Sequence, residues 1–365
     1  MNITFGFISL GLIGGSIAKA IREKHPTATI YAYNRTKEAI EDALSDGVIN
    51  KGLELNDPSW KDCDMLFLCA PVQVNTEILE TLLPLLSEDC LITDVGSVKG
   101  SIHQYIESKN LGNRFIGGHP MAGSERVGYR NSKAILLQNA YYILTPGDGV
   151  AQDKIDFYTQ LVKEMGSIPI LLDYKKHDFA TAAVSHLPHL IAASLVLLVK
   201  NNDTDDGLLK MIAAGGFKDI TRIASSSATM WEQICMTNSE NIKQLLNQYI
   251  ESLKEVSTLL NEHDGKDIYS LFDNARIYRD SLPTQSSGPI KRYFQLLVDI
   301  ADEPGALAAI ATILALNNIS IKNIGIAHNR EYEGGILRIE FYDQESVEKA
   351  EQILAGKGYS LHQLP

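Results

Sequence analysis

Ile3-Thr4-Phe5-Gly6-Phe7-Ile8-Ser9-Leu10-Gly11-Leu12-Ile13-Gly14-Gly15-Ser16 reads as an apolar strand, then a glycine-rich turn, then a helical pattern that runs through Glu23. That order gives a dinucleotide fingerprint its physical content. Gly11 lets the backbone approach a pyrophosphate. Leu12 and Ile13 open the helix whose N-terminal amides and dipole favour an anion, and Gly14 lets that helix pack on the strand. Ser9 stands where the first glycine of such a turn is usual, so the fingerprint is incomplete, and a plain glycine-rich βα turn is the alternative reading.

The next apolar run, Thr29–Tyr33, ends at Asn34-Arg35-Thr36. A site for NAD commonly carries Asp or Glu there for the ribose hydroxyls, and an Arg nearby accommodates a 2′-phosphate. Asn34 and Arg35 therefore leave both NAD and NADP open. Further short runs follow at Met65–Cys69, Leu91–Val95, Phe115–Gly117, Ala140–Leu144 and Ile168–Leu172, most of them separated by helical patterns. Strands alternating with helices imply a mostly parallel, doubly wound sheet over residues 1–172.

From 173 to 283 the strand signals stop and long helical patterns take over, at Ala180–Lys200 and Asn238–Leu260. Ala192–Val199 is apolar on nearly every face, more than one helical lobe buries, so this region is expected to form the core of a homodimer. A Ser/Pro/Gly-rich linker spans 284–292. Residues 293–365 then read as βαββαβ, the ferredoxin-like order. The fold class expected is thus an α/β Rossmann-type dinucleotide-binding domain, an all-α dimerisation domain and a ferredoxin-like domain.

The 365 residues carry a net charge of −12, with 45% hydrophobic and 21% charged residues, an ordinary globular composition that disfavours nucleic acid as a partner. Cys63, Cys69, Cys90 and Cys235 form no CxxC pair and read as reduced thiols of a cytoplasmic protein. No basic, cleavable leader is apparent, and Leu190–Val199 is too short to span a bilayer, so no membrane is expected.

Four segments carry the chemistry. Gly117-Gly118-His119-Pro120 places a histidine, poised for acid–base work, just beyond a short apolar run, with glycines that let a ligand approach. Asp94–Lys99 puts Ser97 at a strand's carboxyl end, where open α/β sheets bind ligands. Ser185-His186-Leu187-Pro188-His189 opens the apolar helix, and Gly215–Arg222 carries Lys218 and Arg222 after a glycine pair. Each has a plainer reading. His119 could cap a turn, His186 reads as structural, and Arg222 could form a surface ion pair. His186-x-x-His189 could hold a metal, but no third ligand stands at suitable spacing, so no metal is expected. Asp94, Ser97 and His119 lack the G-x-S-x-G elbow of a hydrolase.

Taken together these segments resemble the prephenate dehydrogenase family of tyrosine biosynthesis, from Leu10–Ser16 through Asp94–Lys99, Gly117–Gly123, His186–His189, Gly215–Ala224 and Met230-Trp231. The C-terminal unit resembles an ACT domain, with its turn at Asp302–Gly305. The resemblance implies oxidative decarboxylation of prephenate to 4-hydroxyphenylpyruvate, with hydride transfer to NAD or NADP. It implies His119 as the base at the ring hydroxyl and Ser97 as the group that orients His119 or the hydroxyl. Arg222 becomes the carboxylate clamp, with His189, Lys218, Ser124 and Glu125 around the substrate; Glu125 and Asp219 would gate the entrance. Ala70, Pro71 and Val95 join Gly11, Leu12, Ile13, Gly14, Asn34 and Arg35 as cofactor contacts. Feedback by L-tyrosine is implied at the paired C-terminal units, through Asp302, Pro304, Gly305, Asn318 and Asn323. Two other functions stay open: dehydrogenation of arogenate, and a catalytically inactive amino-acid-sensing regulator.

Overall fold

β1 (Thr4–Ile8) lies in the middle of a sheet and is buried along almost its whole length, as a strand covered on both faces must be. The computed structural model describes residues 3–123, 126–263, 265–282, 294–300, 303–327 and 335–362. The chain divides into two units, Met1–Gly288 and Pro289–Pro365.

In the first unit β1 leads into α1 (Leu12–Lys24), followed by β2 (Thr29–Tyr33), α2 (Lys37–Ser45), β3 (Lys51–Gly52), β4 (Met65–Leu68), α3 (Val72–Leu82), β5 (Leu91–Asp94) and α4 (Gly100–Ser108). The five strands pair in parallel in the order β3-β2-β1-β4-β5, so the crossovers put helices on both faces. Phe7 and Phe67 stack at 4.8 Å within the core, each burial worth about 1.5–3 kcal/mol.

β6 (Ile116–Pro120), β7 (Tyr141–Pro146), α5 (Gln152–Glu164) and β8 (Ile168–Leu171) follow. Here the expectation of one mostly parallel sheet is corrected. These strands form a second sheet, in which β6 and β7 are antiparallel. A parallel bridge between Ile92 and Phe115 carries β6 alongside β5, so the carboxyl ends of β1, β4, β5 and β6 share one edge.

The rest of the unit is helical: α6 (Tyr174–Thr181), a π turn at Ala182–His186, α7 (Leu187–Asn202), α8 (Leu208–Ile212), α9 (Gly215–Thr221), α10 (Ala228–Thr237), α11 (Ser239–Asn261) and α12 (Gly265–Ser281). The π turn has a local cause: Pro188 has no N–H to return to the Val184 carbonyl. The apolar segment is longer than its sequence suggests. Tyr174–Asn202 runs unbroken for 29 residues and by length and composition could cross a membrane, although its first turns bury His177 and Asp178. In the single chain α7 is also not covered on every side, since Leu197 and Leu198 are more than half exposed.

The second unit contains β9 (Gln295–Ile300), α13 (Ala306–Leu316), β10 (Asn323–Ala327), β11 (Gly335–Glu340), α14 (Gln344–Gly356) and β12 (Leu361–His362). Its antiparallel sheet, ordered β10-β11-β9-β12, has the ferredoxin-like topology. Leu296, Val298, Ile310, Leu314 and Leu354 form its core. Gly305 precedes α13 at φ +95 and Asn318 follows it at φ +56. Asn323 bonds its own strand, accepting from the Ile324 amide at 2.9 Å, and Pro304 is exposed in the turn. Asp302 and the 284–292 linker lie outside the described residues.

Candidate active site

The turn after β1 explains the missing glycine. Ser9 takes φ +74, the left-handed conformation that a glycine adopts without cost, and its amide bonds the Tyr33 carbonyl at 2.8 Å. Gly14 is required by packing: a Cβ there would sit 2.5 Å from the Ser9 carbonyl oxygen and 2.9 Å from Cys69 Cβ. Gly11 is different. A Cβ there would meet nothing within 4 Å, so the protein's own packing leaves room above the turn, as a pyrophosphate needs. The first turn of α1, with Leu12 and Ile13, contains no acidic residue to oppose an anion.

Asn34 departs from expectation. Its Oδ1 accepts from the Leu10 amide at 2.9 Å, and its Nδ2 donates to Thr36 O and Oγ1 at 2.9 and 2.7 Å. The side chain thus latches the glycine turn instead of standing ready for a ribose. Arg35 is exposed. Between β4 and α3, buried Asn75 accepts from the Ala70 amide and donates to the Leu68 and Ala70 carbonyls, fixing the turn of Ala70 and Pro71 at the same sheet edge. Val95 follows β5 and is half-buried.

His119 also needs correction: it lies within β6, opposite Ile143 of β7, and is only 8% exposed. Its glycines serve packing inside the protein, not the approach of a ligand. A Cβ on Gly117 would lie 2.4 Å from Thr145 Oγ1 and 3.0 Å from Lys99 Cδ; one on Gly118 would lie 2.7 Å from the Asp94 carbonyl oxygen.

His119 Nδ1 lies 2.8 Å from His177 Nε2, and His177 Nδ1 lies 2.8 Å from Asp178 Oδ1. The order of donors follows from the end of the chain. Asp178 also accepts from the backbone amides of Lys99 and Gly100, each at 2.7 Å, so it is the acceptor. His177 therefore donates from Nδ1, and its Nε2 faces His119 Nδ1. Nε2 is the nitrogen of His119 that lies outside this chain of contacts. The orienting partner expected at Ser97 is thus His177. No hydrogen bond joins Ser97 to His119, and Ser97 is half-buried in the loop after β5.

Burial, then the neighbouring His177, Lys99 and His186, hold His119 well below the usual histidine range, so the imidazole is neutral at pH 7. Asp94 and Lys99 form a fully buried ion pair, and Asp94 Oδ2 also accepts from the Gly96 amide at 2.9 Å. The loop of Ser97 is therefore tied at one end by the Asp94 carboxylate and at the other by that of Asp178.

The helical segment carries the remaining candidates. His186 is buried, with Nδ1 facing Asn238 Nδ2 at 3.1 Å, and burial lowers its pKa to about 4, which fits a structural residue. His189 donates from Nδ1 to the Ser185 carbonyl at 2.8 Å and stacks on Trp231 at 3.7 Å, leaving Nε2 free of that bond. Its pKa is lowered by burial, with Arg222 adding to the shift. Trp231 Nε1 is a buried donor with no partner among the described residues. Arg222 and Lys218 are exposed, and neither forms an ion pair among the described residues; Asp219 is exposed beside them. Ser124 and Glu125 lie outside the described residues. No cluster of potential metal ligands occurs among the described residues.

Sequence reasoning missed His177, Asp178 and Asn75. The available signal was an adjacent His-Asp pair at the head of an apolar helix, where burial demands that each find a partner.

A glycine turn at the carboxyl edge of a parallel sheet, in a chain that also carries a buried imidazole of lowered pKa and a helical lobe, is the make-up of a dinucleotide-dependent dehydrogenase. The family model "Prephenate dehydrogenase, nucleotide-binding domain" matches residues 17–171, and "Prephenate dehydrogenase, dimerization domain" matches 173–274. The chain belongs to the prephenate dehydrogenase family. It is 37% identical to the prephenate dehydrogenase of Bacillus subtilis over 360 residues, 98% of this chain and 97% of that protein. The structure of prephenate dehydrogenase from A. aeolicus, with hydroxyphenyl propionate and NAD+, superposes with a TM-score of 0.73 at 31% identity, covering 78% of this chain and 99% of that one. Arogenate dehydrogenase from Synechocystis gives 0.69 at 27% identity, covering 77% and 100%.

Proposed function

We propose that this protein oxidatively decarboxylates prephenate to 4-hydroxyphenylpyruvate. The observation that carries this is His119, buried, held well below the usual histidine range and paired through Nδ1 with His177, which leaves Nε2 for the substrate. Nε2 takes the proton of the ring hydroxyl as the hydride leaves the same carbon, the side-chain-bearing ring carbon releases its carboxylate as CO₂, and the ring becomes aromatic. A bound nicotinamide supplies the hydride acceptor, and the open space at Gly11 with the acid-free first turn of α1 suits its pyrophosphate. Aromatisation provides the driving force, so the protein's task is to hold a dianion in place and receive one proton. Arg222 offers a planar two-point clamp for a carboxylate, and Lys218 and His189 are assigned to the same substrate. Ser97 is assigned to the hydroxyl itself, since His119 already has its orienting partner.

Offering prephenate and arogenate, each with NAD and NADP, and comparing kcat/KM tests this directly. Oxidation of neither compound overturns the assignment. Arogenate is the second reading, favoured by the likeness to the Synechocystis enzyme.

The working unit is a homodimer built on the helical segment, and the protein is cytoplasmic, with Tyr174–Asn202 buried between protomers rather than in a bilayer. The C-terminal unit is an ACT domain that senses L-tyrosine near Pro304, Gly305, Asn318 and Asn323. Removal of residues 290–365 should abolish tyrosine inhibition; inhibition that survives assigns the effector to the active site.

A further inference from the structure

His177 and Asp178 are built in more firmly than a support for one ring requires. His177 is fully buried and Asp178 is 5% exposed. Thr181 Oγ1 donates to both of their carbonyls, at 3.0 and 3.2 Å, and Asn238 Nδ2 donates to that of Asp178 at 2.8 Å, so their backbone is pinned. The Asp178 carboxylate is held in turn by the amides of Lys99 and Gly100.

The surroundings of the two rings differ in sign. Burial, His177, Lys99 and His186 all oppose a positive charge on His119, and no carboxylate bonds its ring among the described residues. A base so placed receives a proton but is a poor place to leave it. His177 has Asp178 Oδ1 at 2.8 Å from Nδ1. Of the other groups near the pair, Lys99 is already paired with Asp94, and His186, lowered to about 4 by burial, is uncharged near pH 7.

The 2.8 Å contact between the rings is a hydrogen bond whichever nitrogen holds its proton. When the pair gains a second proton at His119 Nε2, the shared one can cross from Nδ1 to His177 Nε2 without either ring turning. The positive charge then lies against a carboxylate instead of in a buried site that lacks one, which Coulomb attraction favours.

We propose that His177 takes over the charge that the reaction creates at His119. As the substrate O–H bond breaks and a proton bonds His119 Nε2, the Nδ1–H bond of His119 breaks and a proton bonds His177 Nε2, so the imidazolium forms beside Asp178. The hydride carries its electron pair to the nicotinamide, the carboxylate leaves as CO₂, and Asp178 stays ionised throughout. Once the product leaves, the Nε2 proton of His119 passes to water and the shared proton returns to Nδ1. His177 thus acts through His119, and the proposal rests on the reading of His119 as the base at the ring hydroxyl.

Two protons then move in one step, which a proton inventory reads. Single-turnover reduction of NAD+ by prephenate, followed by nicotinamide absorbance on the full-length protein in mixtures of H₂O and D₂O, should give a bowl-shaped dependence of rate on deuterium fraction. His177→Gln sets an amide where Nε2 stands; its oxygen can accept from His119 Nδ1 but takes up no proton. This variant should lower the single-turnover rate by about 10²-fold and give a straight-line dependence, with NAD+ affinity unchanged and circular dichroism showing a folded protein. A straight or flat dependence in the wild-type protein overturns the proposal, as does a folded His177→Gln protein within about threefold of the wild-type rate. The wild-type measurement stands even where the variant does not fold. Failure of the wild-type protein to oxidise prephenate overturns the reading of His119 as well.

Discussion

His119 Nδ1 and His177 Nε2 lie 2.8 Å apart, and this contact leaves Nε2 as the nitrogen of His119 outside the pair. Replacing His119 by Asn should lower kcat by at least roughly 10²-fold, the scale of a positioned base, with little change in cofactor affinity. His177→Ala should leave the base in place but unoriented. Its kcat should fall by about 10- to 10²-fold, with a smaller effect on KM. Steady-state kinetics on both variants check this, and a His177 variant that alters KM alone contradicts the orienting role.

The pH dependence follows from burial. His119 is held well below the usual value, and His103 and His186 are each lowered to about 4, chiefly by burial. Activity needs neutral His119, so the acid limb of kcat/KM should lie well below pH 6.5. Stability has the same sign: below about pH 6.5 the unfolded chain binds protons that the folded chain does not. The contribution is complete above that value and is lost as pH falls toward 4, by up to about 1.4 kcal/mol per pH unit for each histidine. Urea titrations between pH 4 and 8 measure it; stability that is flat over this range contradicts neutral burial.

Lys99 is fully buried against Asp94, whose Oδ1 has no partner among the described residues. Lys99→Met removes the one cation bonded to that carboxylate among the described residues and should cost about 3–5 kcal/mol, because the remaining charge stays buried. Chemical denaturation measures this directly. A loss below about 1 kcal/mol would mean that water reaches Asp94.

Ser9 occupies a left-handed backbone that costs an L-residue about 1 kcal/mol or more. Ser9→Gly relieves that strain but makes the unfolded chain more flexible. The net gain should be about 0.5 kcal/mol, seen as a small rise in Tm.

The exposed apolar side chains of α7, with Leu197 at 53% and Leu198 at 59% exposure, need a cover. Leu198→Glu should shift the protein from dimer to monomer in sedimentation or light scattering. A wild-type protein that is monomeric across a concentration series removes the basis for the dimer.

The strand–turn–helix order of Ile3–Ser16, the recurring apolar runs and the βαββαβ order after the linker were legible because local patterning dictates them: period, turn chemistry and burial of each run are properties of neighbouring residues. The same locality made Gly14, His119 and the absence of an acid near Asn34 visible as candidates. Other features required the tertiary structure, because each depends on partners far apart in sequence. His119 finds His177 across 58 positions, and Lys99 finds Asp178 across 79. Gly117 and Gly118 gave the same local signal that a ligand-facing glycine would give; only the packing of Thr145, Lys99 and Asp94 against them shows that they make room for the protein itself. The sequence by itself determined the elements and the kind of chemistry. The tertiary structure decided which nitrogen of His119 is engaged by His177 and which is left over, since hydrogen bonds and burial, unlike periodicity, are settled between segments that only the fold brings together.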